Sequence, residues 1–329
     1  MYSSIKLTTE DIEILKDLVE QFTVYPSTSP DLFCKQARDF SLFVPKKIKQ
    51  ALTAFAKNGT PSGFFLIEGL PIVMDYNLFP ETPPNNTYTI GETTLIARIQ
   101  AILIHTIAEM ITYEAEGCGQ LFQDVVPTSS MAIEQTSLSS NVELEIHTEQ
   151  AFSKVKPDII SLACIRGDLN AFTYILPVQI LLNQLTNDEK NLLREPLWKI
   201  GVDLSFKMFG EDFMEGNVRG PLAILSGTEE NPVLVFDQDL MYGITEEARE
   251  MIKKIVEIYH AYKISHCLRP GQMIIIDNRC AVHGRSAFYP IYDGYDRFLV
   301  RCFAVFDYER TSYARKNTDN SRMVCAYYS

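Results

Sequence analysis

Residues 144–152 read "LEIHTEQAF". An apolar run ends in a His and a Glu two positions apart, His147 and Glu149. On extended backbone, side chains at i and i+2 point to the same side, so these two can chelate one ion. The chain contains only five His. A short H-x-E pair also arises by chance in an ordinary surface turn, so it becomes informative only with a third ligand.

The surroundings of this stretch set the fold class. From about residue 120, short apolar runs alternate with turns: "VELEIH", "DIISLACI", "AFTYIL", "PLAILSG", "PVLVFD", "QMIIIDN" and "RFLVRCFAVFDY". Many short strands punctuated by Gly, Pro and Asn predict a β-sandwich or barrel. They do not alternate regularly with helices, which argues against a doubly wound parallel sheet. One helix interrupts them at 245–264, opened by Thr245 and two acids. Upstream, 8–22 reads as a capped amphipathic helix and 44–59 as a second, stopped at Asn58-Gly59. Residues 63–72 read as a buried strand, 77–89 as a Pro/Asn-rich loop, and 93–117 as one long, mostly buried helix ending at Gly117. The expected architecture is mainly β with flanking helices, an α+β chain with a jelly-roll core. Residues 1–329 form a single domain, with 1–119 a mostly helical elaboration, 120–310 the core and 311–329 a C-terminal tail.

Composition narrows the class. The 329 residues are 46% hydrophobic and 22% charged, ordinary for a soluble globular protein. A net charge of -12 without a basic stripe argues against nucleic acid as the partner. The N-terminus lacks a basic start followed by an apolar run, and no stretch of about 18 apolar residues predicts a membrane span. Seven scattered Cys form no C-x-x-C pair, so the expectation is a reduced, cytoplasmic protein. The oligomeric state is not legible.

The third ligand comes from "GQMIIIDNRCAVHGRSAF" (271–288), where a strand leads through a turn to His283. Two His and one carboxylate, with open positions opposite, is the facial arrangement of non-haem Fe(II) oxygenases. Of the remaining His, His105 sits at helical spacing from Glu109 and reads as a core or helix-surface residue. His260 and His266 flank the end of the 245–264 helix, where either could meet its C-terminus. None sits on a strand end beside an acid. Fourteen residues after His283 comes Arg297, and four further on Arg301. On a strand, 297, 299 and 301 face one way. Two Arg on an otherwise apolar face are costly unless paired, and Arg is suited to grip carboxylates with two parallel hydrogen bonds. Structural salt bridges would satisfy them equally. Beside His147, Glu149 and His283, ligand carboxylates are the better reading.

"LEIHTEQAF", "IISLACIRGD", "AVHGRSAF" and "DGYDRFLVR" together resemble the clavaminate synthase-like branch of Fe(II)/2-oxoglutarate-dependent oxygenases, in family order over roughly residues 120–310. Glu in place of the commoner Asp in the H-x-D/E motif is typical of that branch. Within it the chain is most similar to hydroxylases of free amino acids. The resemblance implies that His147, Glu149 and His283 hold Fe(II), that Arg297 holds the distal carboxylate of 2-oxoglutarate, and that Thr173 supports the same co-substrate. It further implies that Arg301 binds the substrate α-carboxylate and that Ser137, competing with Ser139 and Ser140, contacts the substrate amine. The implied reaction consumes O2 and 2-oxoglutarate, releases succinate and CO2, and hydroxylates an unactivated C–H.

Substrate choice rests on "PVLVFDQDLMYG" (232–243). Asp237 and Asp239 are two apart, and adjacent carboxylates repel unless a cation sits between them. In arginine hydroxylases of the family, acids in this region contact the cationic end of the side chain. The expectation is a basic amino acid, L-lysine first and L-arginine or another free amino acid second. The alternative is that "DQD" merely caps a turn. Two other classes remain: a non-catalytic jelly-roll metal or ligand binder, and a zinc hydrolase, which gives Arg297 no role. Residues 207–220 are Gly-rich and read as a lid.

Overall fold

The computed structural model describes residues 3–210 and 212–329. Its frame is two stacked sheets. The principal sheet runs, in spatial order, Ser3–Lys6, Phe64–Glu68, Gln272–Asp277, Ile159–Arg166, Phe298–Val305, Glu109–Tyr113 and Met323–Val324, with Gln123–Val125 also paired to the 298–305 strand. The second sheet runs Ile264–Cys267, Phe172–Pro177, Ala281–Arg285 and Leu144–His147. This is the jelly-roll core expected from the run of short strands.

The principal sheet is buried on both faces, which explains why its strands read as unbroken apolar runs. Alternation still sorts their side chains. Phe64, Leu66, Ile274, Ile276, Leu299 and Phe303 point into the sandwich. Their neighbours Phe65, Ile67, Met273, Ile275, Val300 and Cys302 point outward, beneath N-terminal helices that contribute Leu15, Phe33, Leu52 and Ile99. The first of those helices, Thr9–Val19, starts as expected: Thr8 and Asp11 close a reciprocal capping box. Lys46–Asn58 ends at Gly59, whose positive φ suits glycine. Thr245 caps the 17-residue helix Glu246–Tyr262.

One expectation needs correction. Residues 93–117 are not one helix. Helix Leu95–Ile104 ends at His105, and the chain returns as strand Glu109–Tyr113 against Phe298–Val305. The β-prone "MITY" pairs with an available sheet edge, and tertiary pairing overrides the continuous apolar pattern. Residues 1–119 therefore supply three strands of the principal sheet as well as helices. The C-terminal tail is likewise built in, because Met323–Val324 pairs in parallel with Glu109–Tyr113. Helix Pro30–Ser41 was not anticipated, although Pro30 at its first turn is a start signal. Among the described residues no helix is long and apolar enough to cross a membrane.

Candidate active site

Strand pairing creates the centre of the site. His147 and His283 are direct cross-strand partners in the second sheet, and their rings lie 4.4 Å apart. Glu149 follows two residues later, so ligand atoms of His147, Glu149 and His283 all fall within 4.8 Å of one another. Among the described residues this is the one His/Cys/Asp/Glu group with that property. Nδ1 of His147 donates to the Glu145 carbonyl at 2.8 Å, which leaves Nε2 as the free lone pair. Nε2 of His283 faces Glu149 Oε2 at 3.5 Å, longer than a good hydrogen bond and suited to two ligands of one ion. Gly284 is required by this pairing, because a Cβ there would meet the Leu144 carbonyl at 2.6 Å.

The backbone of Glu149 is also fixed. The side chain of buried Asn278 accepts from the Glu149 N–H at 2.8 Å and donates to its carbonyl at 3.1 Å and to that of Pro157 at 2.8 Å. Burial alone would raise the Glu149 carboxyl; Arg301, His283 and His147 outweigh it and hold it at about 2. Burial and the neighbouring His147 lower His283, which keeps it neutral. A neutral His283 imidazole beside an ionised Glu149 carboxylate suits a divalent ion, and two imidazoles with one carboxylate within this spacing fit a metal.

Two cavities meet at this triad. One is lined by Thr173, His283, Arg285, Arg297 and the apolar Ile160 and Leu299. Arg297 is buried, with its guanidinium 5.7 Å from the Phe288 ring, and no carboxylate pairs with it among the described residues. Burial pushes its pKa down. A buried, unpaired guanidinium in a largely apolar pocket calls for an anionic ligand. Thr173 lies in the same wall, paired to Arg285 across the strands.

The second cavity, open to solvent, has the opposite charge. Glu116, Glu145, Glu149, Asp203, Asp237 and Asp239 line it, with Arg301 its one Lys or Arg. Ser137 lies on the boundary of both cavities. The expected residues therefore converge: His147, Glu149, His283, Arg297, Thr173, Arg301, Asp237, Asp239 and Ser137 all line one cavity or both. Asp237 does cap a turn, accepting from the Leu240 N–H at 2.7 Å, yet it also faces the cavity. Burial raises its pKa, offset in part by His147.

Arg301 is more constrained than expected. It pairs with Glu116, donates through Nε to Gln123 Oε1 at 3.0 Å, and lies 3.4 Å from Glu149 Oε1. Glu116 is held in turn by Gln150 Nε2 at 2.7 Å. Gln150 adopts a left-handed φ of 50°, so the chain turns sharply just beyond the ligand Glu149. Glu116, Glu145 and Asp203 were not anticipated. A signal existed for Glu116, an acid between an apolar stretch and the Gly117–Gly119 turn, but not for Asp203. Burial and the nearby Asp237, Glu116 and Glu149 push Asp203 well above the usual carboxylate range. Asp203, Leu204 and Ser205 reach the cavity, whereas residues 207–220, read as a lid, contribute none of its lining. Glu211 in that stretch lies outside the described residues.

Two imidazoles on adjacent strands of a jelly roll, with a carboxylate in the turn just beyond one of them and an anion pocket alongside, define a mononuclear non-haem Fe(II) oxygenase. Comparison with known proteins agrees. The taurine catabolism dioxygenase TauD, TfdA family matches residues 216–303. The chain is 44% identical to L-lysine 3-hydroxylase of Catenulispora acidiphila, over 98% of this chain and 89% of the relative. It is 28% identical to clavaminate synthase 2 of Streptomyces clavuligerus, over 82% of each. A crystal structure of asparagine oxygenase with Fe(II), 3-hydroxyasparagine and succinate superposes with a TM-score of 0.89 at 28% identity, covering 98% of this chain and 99% of that one. The chain belongs to the clavaminate synthase-like branch of the Fe(II)/2-oxoglutarate-dependent oxygenases. It is a dioxygenase that uses Fe(II), 2-oxoglutarate and O2.

Proposed function

We propose that the protein hydroxylates C3 of free L-lysine. The observation that carries the substrate is the charge of the open cavity. Arg301 faces Glu116 and Glu149, while Glu145, Asp203, Asp237 and Asp239 line the same space without a Lys or Arg partner among the described residues. Such a cluster stays ionised only beside added cations. A basic amino acid brings two, its α-ammonium and its side-chain ammonium. The 44% identity to an L-lysine 3-hydroxylase supports lysine over arginine and C3 as the position attacked.

Each residue then has a role. His147, Glu149 and His283 would hold Fe(II), and the bound iron would supply the oxidising chemistry of a reaction in which 2-oxoglutarate and O2 give succinate and CO2, each O2 leaving one oxygen atom in succinate and one in the new hydroxyl. Arg297 and Thr173 hold the distal carboxylate of 2-oxoglutarate. Arg301 orients the substrate α-carboxylate, and Glu116 and Ser137 the α-ammonium. Asp237 and Asp239 hold the ε-ammonium, so that one methylene is fixed beside the metal. The seven free cysteines fit a cytoplasmic setting.

Norleucine has the shape of lysine without the ε-ammonium and tests this reading. The kcat/KM for lysine is expected to exceed that for norleucine at least about a hundredfold, since an unfilled carboxylate site rejects the neutral analogue. Equal turnover of the two would sink the role of Asp237 and Asp239.

A further inference from the structure

The pocket assigned to 2-oxoglutarate contains one more buried cation than the co-substrate's distal carboxylate needs. Arg285 is 4% exposed, lines that pocket, and has no carboxylate partner among the described residues. Its guanidinium lies 4.9 Å from the Phe288 ring that Arg297 also approaches. Its Nε is buried without a hydrogen-bond partner. An uncompensated cation in this position is expensive.

The remaining nitrogens of Arg285 point to another segment. Nη2 donates to Ser139 Oγ at 2.8 Å, and Nη1 and Nη2 reach the Ser140 and Val142 carbonyls at 3.5 Å. Segment 135–142 walls the amino-acid cavity: Gln135, Thr136 and Ser137 line it, and Ser137 also borders the co-substrate pocket. At its other end the segment is tied to the metal-ligand strand, where Gln135 Oε1 accepts from the Glu145 N–H at 3.0 Å. Arg285 lies two residues after His283 on one strand. One side chain therefore touches the co-substrate pocket, the wall of the substrate cavity and, through its strand, a metal ligand.

We propose that Arg285 is a positioning residue that couples the two pockets: a carboxylate held by Arg297 also compensates Arg285, which fixes segment 135–142 in the geometry that receives the amino acid. The inference rests on the proposed 2-oxoglutarate and amino-acid pockets. It goes beyond them by making amino-acid affinity depend on a residue on the co-substrate side.

Steady-state KM values for 2-oxoglutarate and lysine in Arg285→Gln, Arg285→Lys and Ser139→Ala test it, with wild type in parallel. Arg285→Gln loses both the charge and the three-acceptor grip, so both KM values are expected to rise about tenfold, as for loss of a buried charge-assisted contact. Arg285→Lys restores the charge but cannot span three acceptors. It is expected to return the 2-oxoglutarate KM to within about threefold of wild type while the lysine KM stays raised. Ser139→Ala is expected to raise only the lysine KM. The proposal is overturned if Arg285→Gln shifts only one of the two KM values, or neither, or if Arg285→Lys moves both in step. Should Arg285→Gln fail to fold, Arg285→Lys and Ser139→Ala decide alone: a raised lysine KM with a near-wild-type 2-oxoglutarate KM in both supports the coupling, and no rise in lysine KM in either refutes it. A wild type that consumes no 2-oxoglutarate with lysine refutes the functional reading instead, which separates the two failures.

Discussion

Arg297 and Arg301 are four residues apart and border one cavity, yet their partners differ completely. Among the described residues, buried Arg297 has no carboxylate partner, whereas Arg301 is enclosed by Glu116, Gln123 and Glu149. On the proposed assignment, a zwitterionic substrate exchanges ion pairs here, placing its carboxylate on Arg301 and its ammonium on Glu116. Arg301→Ala leaves two buried carboxylates short of a partner. It is expected to raise the lysine KM about a hundredfold and the 2-oxoglutarate KM less than about threefold, the cost of breaking a buried charge pair. Arg297→Ala is expected to do the reverse. Equal effects on the two KM values in both variants would undo these assignments. The two Arg were legible because charge on an apolar strand needs a partner. Glu116 and Asp203 were not, since an acid in a loop acquires meaning only from the neighbours that the fold brings to it.

At the level of elements, the metal centre was legible because adjacent strands made it. His147 and His283 meet by β-register, and Glu149 follows two positions later on the same chain. The same reasoning failed at 93–117, where an apolar pattern over two elements has no period break to separate helix from strand. His105 marks the true boundary. It ends helix Leu95–Ile104 with Nδ1 2.9 Å from the Ala101 carbonyl, and its Nε2 lies 3.8 Å from Glu109 on the following strand. Burial lowers its pKa to about 4, against the pull of Glu109 and with Arg322 and Arg38 adding to the drop. A His depressed on folding binds its proton more weakly in the native state than in the unfolded chain. Its stabilisation is therefore present above its unfolded value of about 6.5 and is lost as pH falls from there toward about 4. The contribution is at most about 3 kcal/mol. Urea unfolding of wild type and His105→Asn between pH 4 and 7 measures it. The stability of wild type should fall more steeply toward acid than that of the variant, and parallel curves would contradict the burial argument.

Over the whole molecule, the jelly roll carries the site and the N-terminal helices cover the back of the principal sheet. The core strands were legible from their lengths and turns. The integration of both chain ends was not, because strands Ser3–Lys6, Glu109–Tyr113 and Met323–Val324 join the sheet through pairings far apart in sequence. The division into an anionic cavity and a cationic, largely apolar pocket, meeting at three metal ligands, is likewise a property of the assembled fold. It leads to one reaction. Incubation of the protein with Fe(II), 2-oxoglutarate and each common amino acid, with succinate quantified and products identified by mass and NMR, tests that claim directly. The account predicts lysine as the best substrate, one succinate formed per hydroxylated lysine, and the new hydroxyl on C3. Turnover of a neutral amino acid with lysine and arginine inert would contradict it.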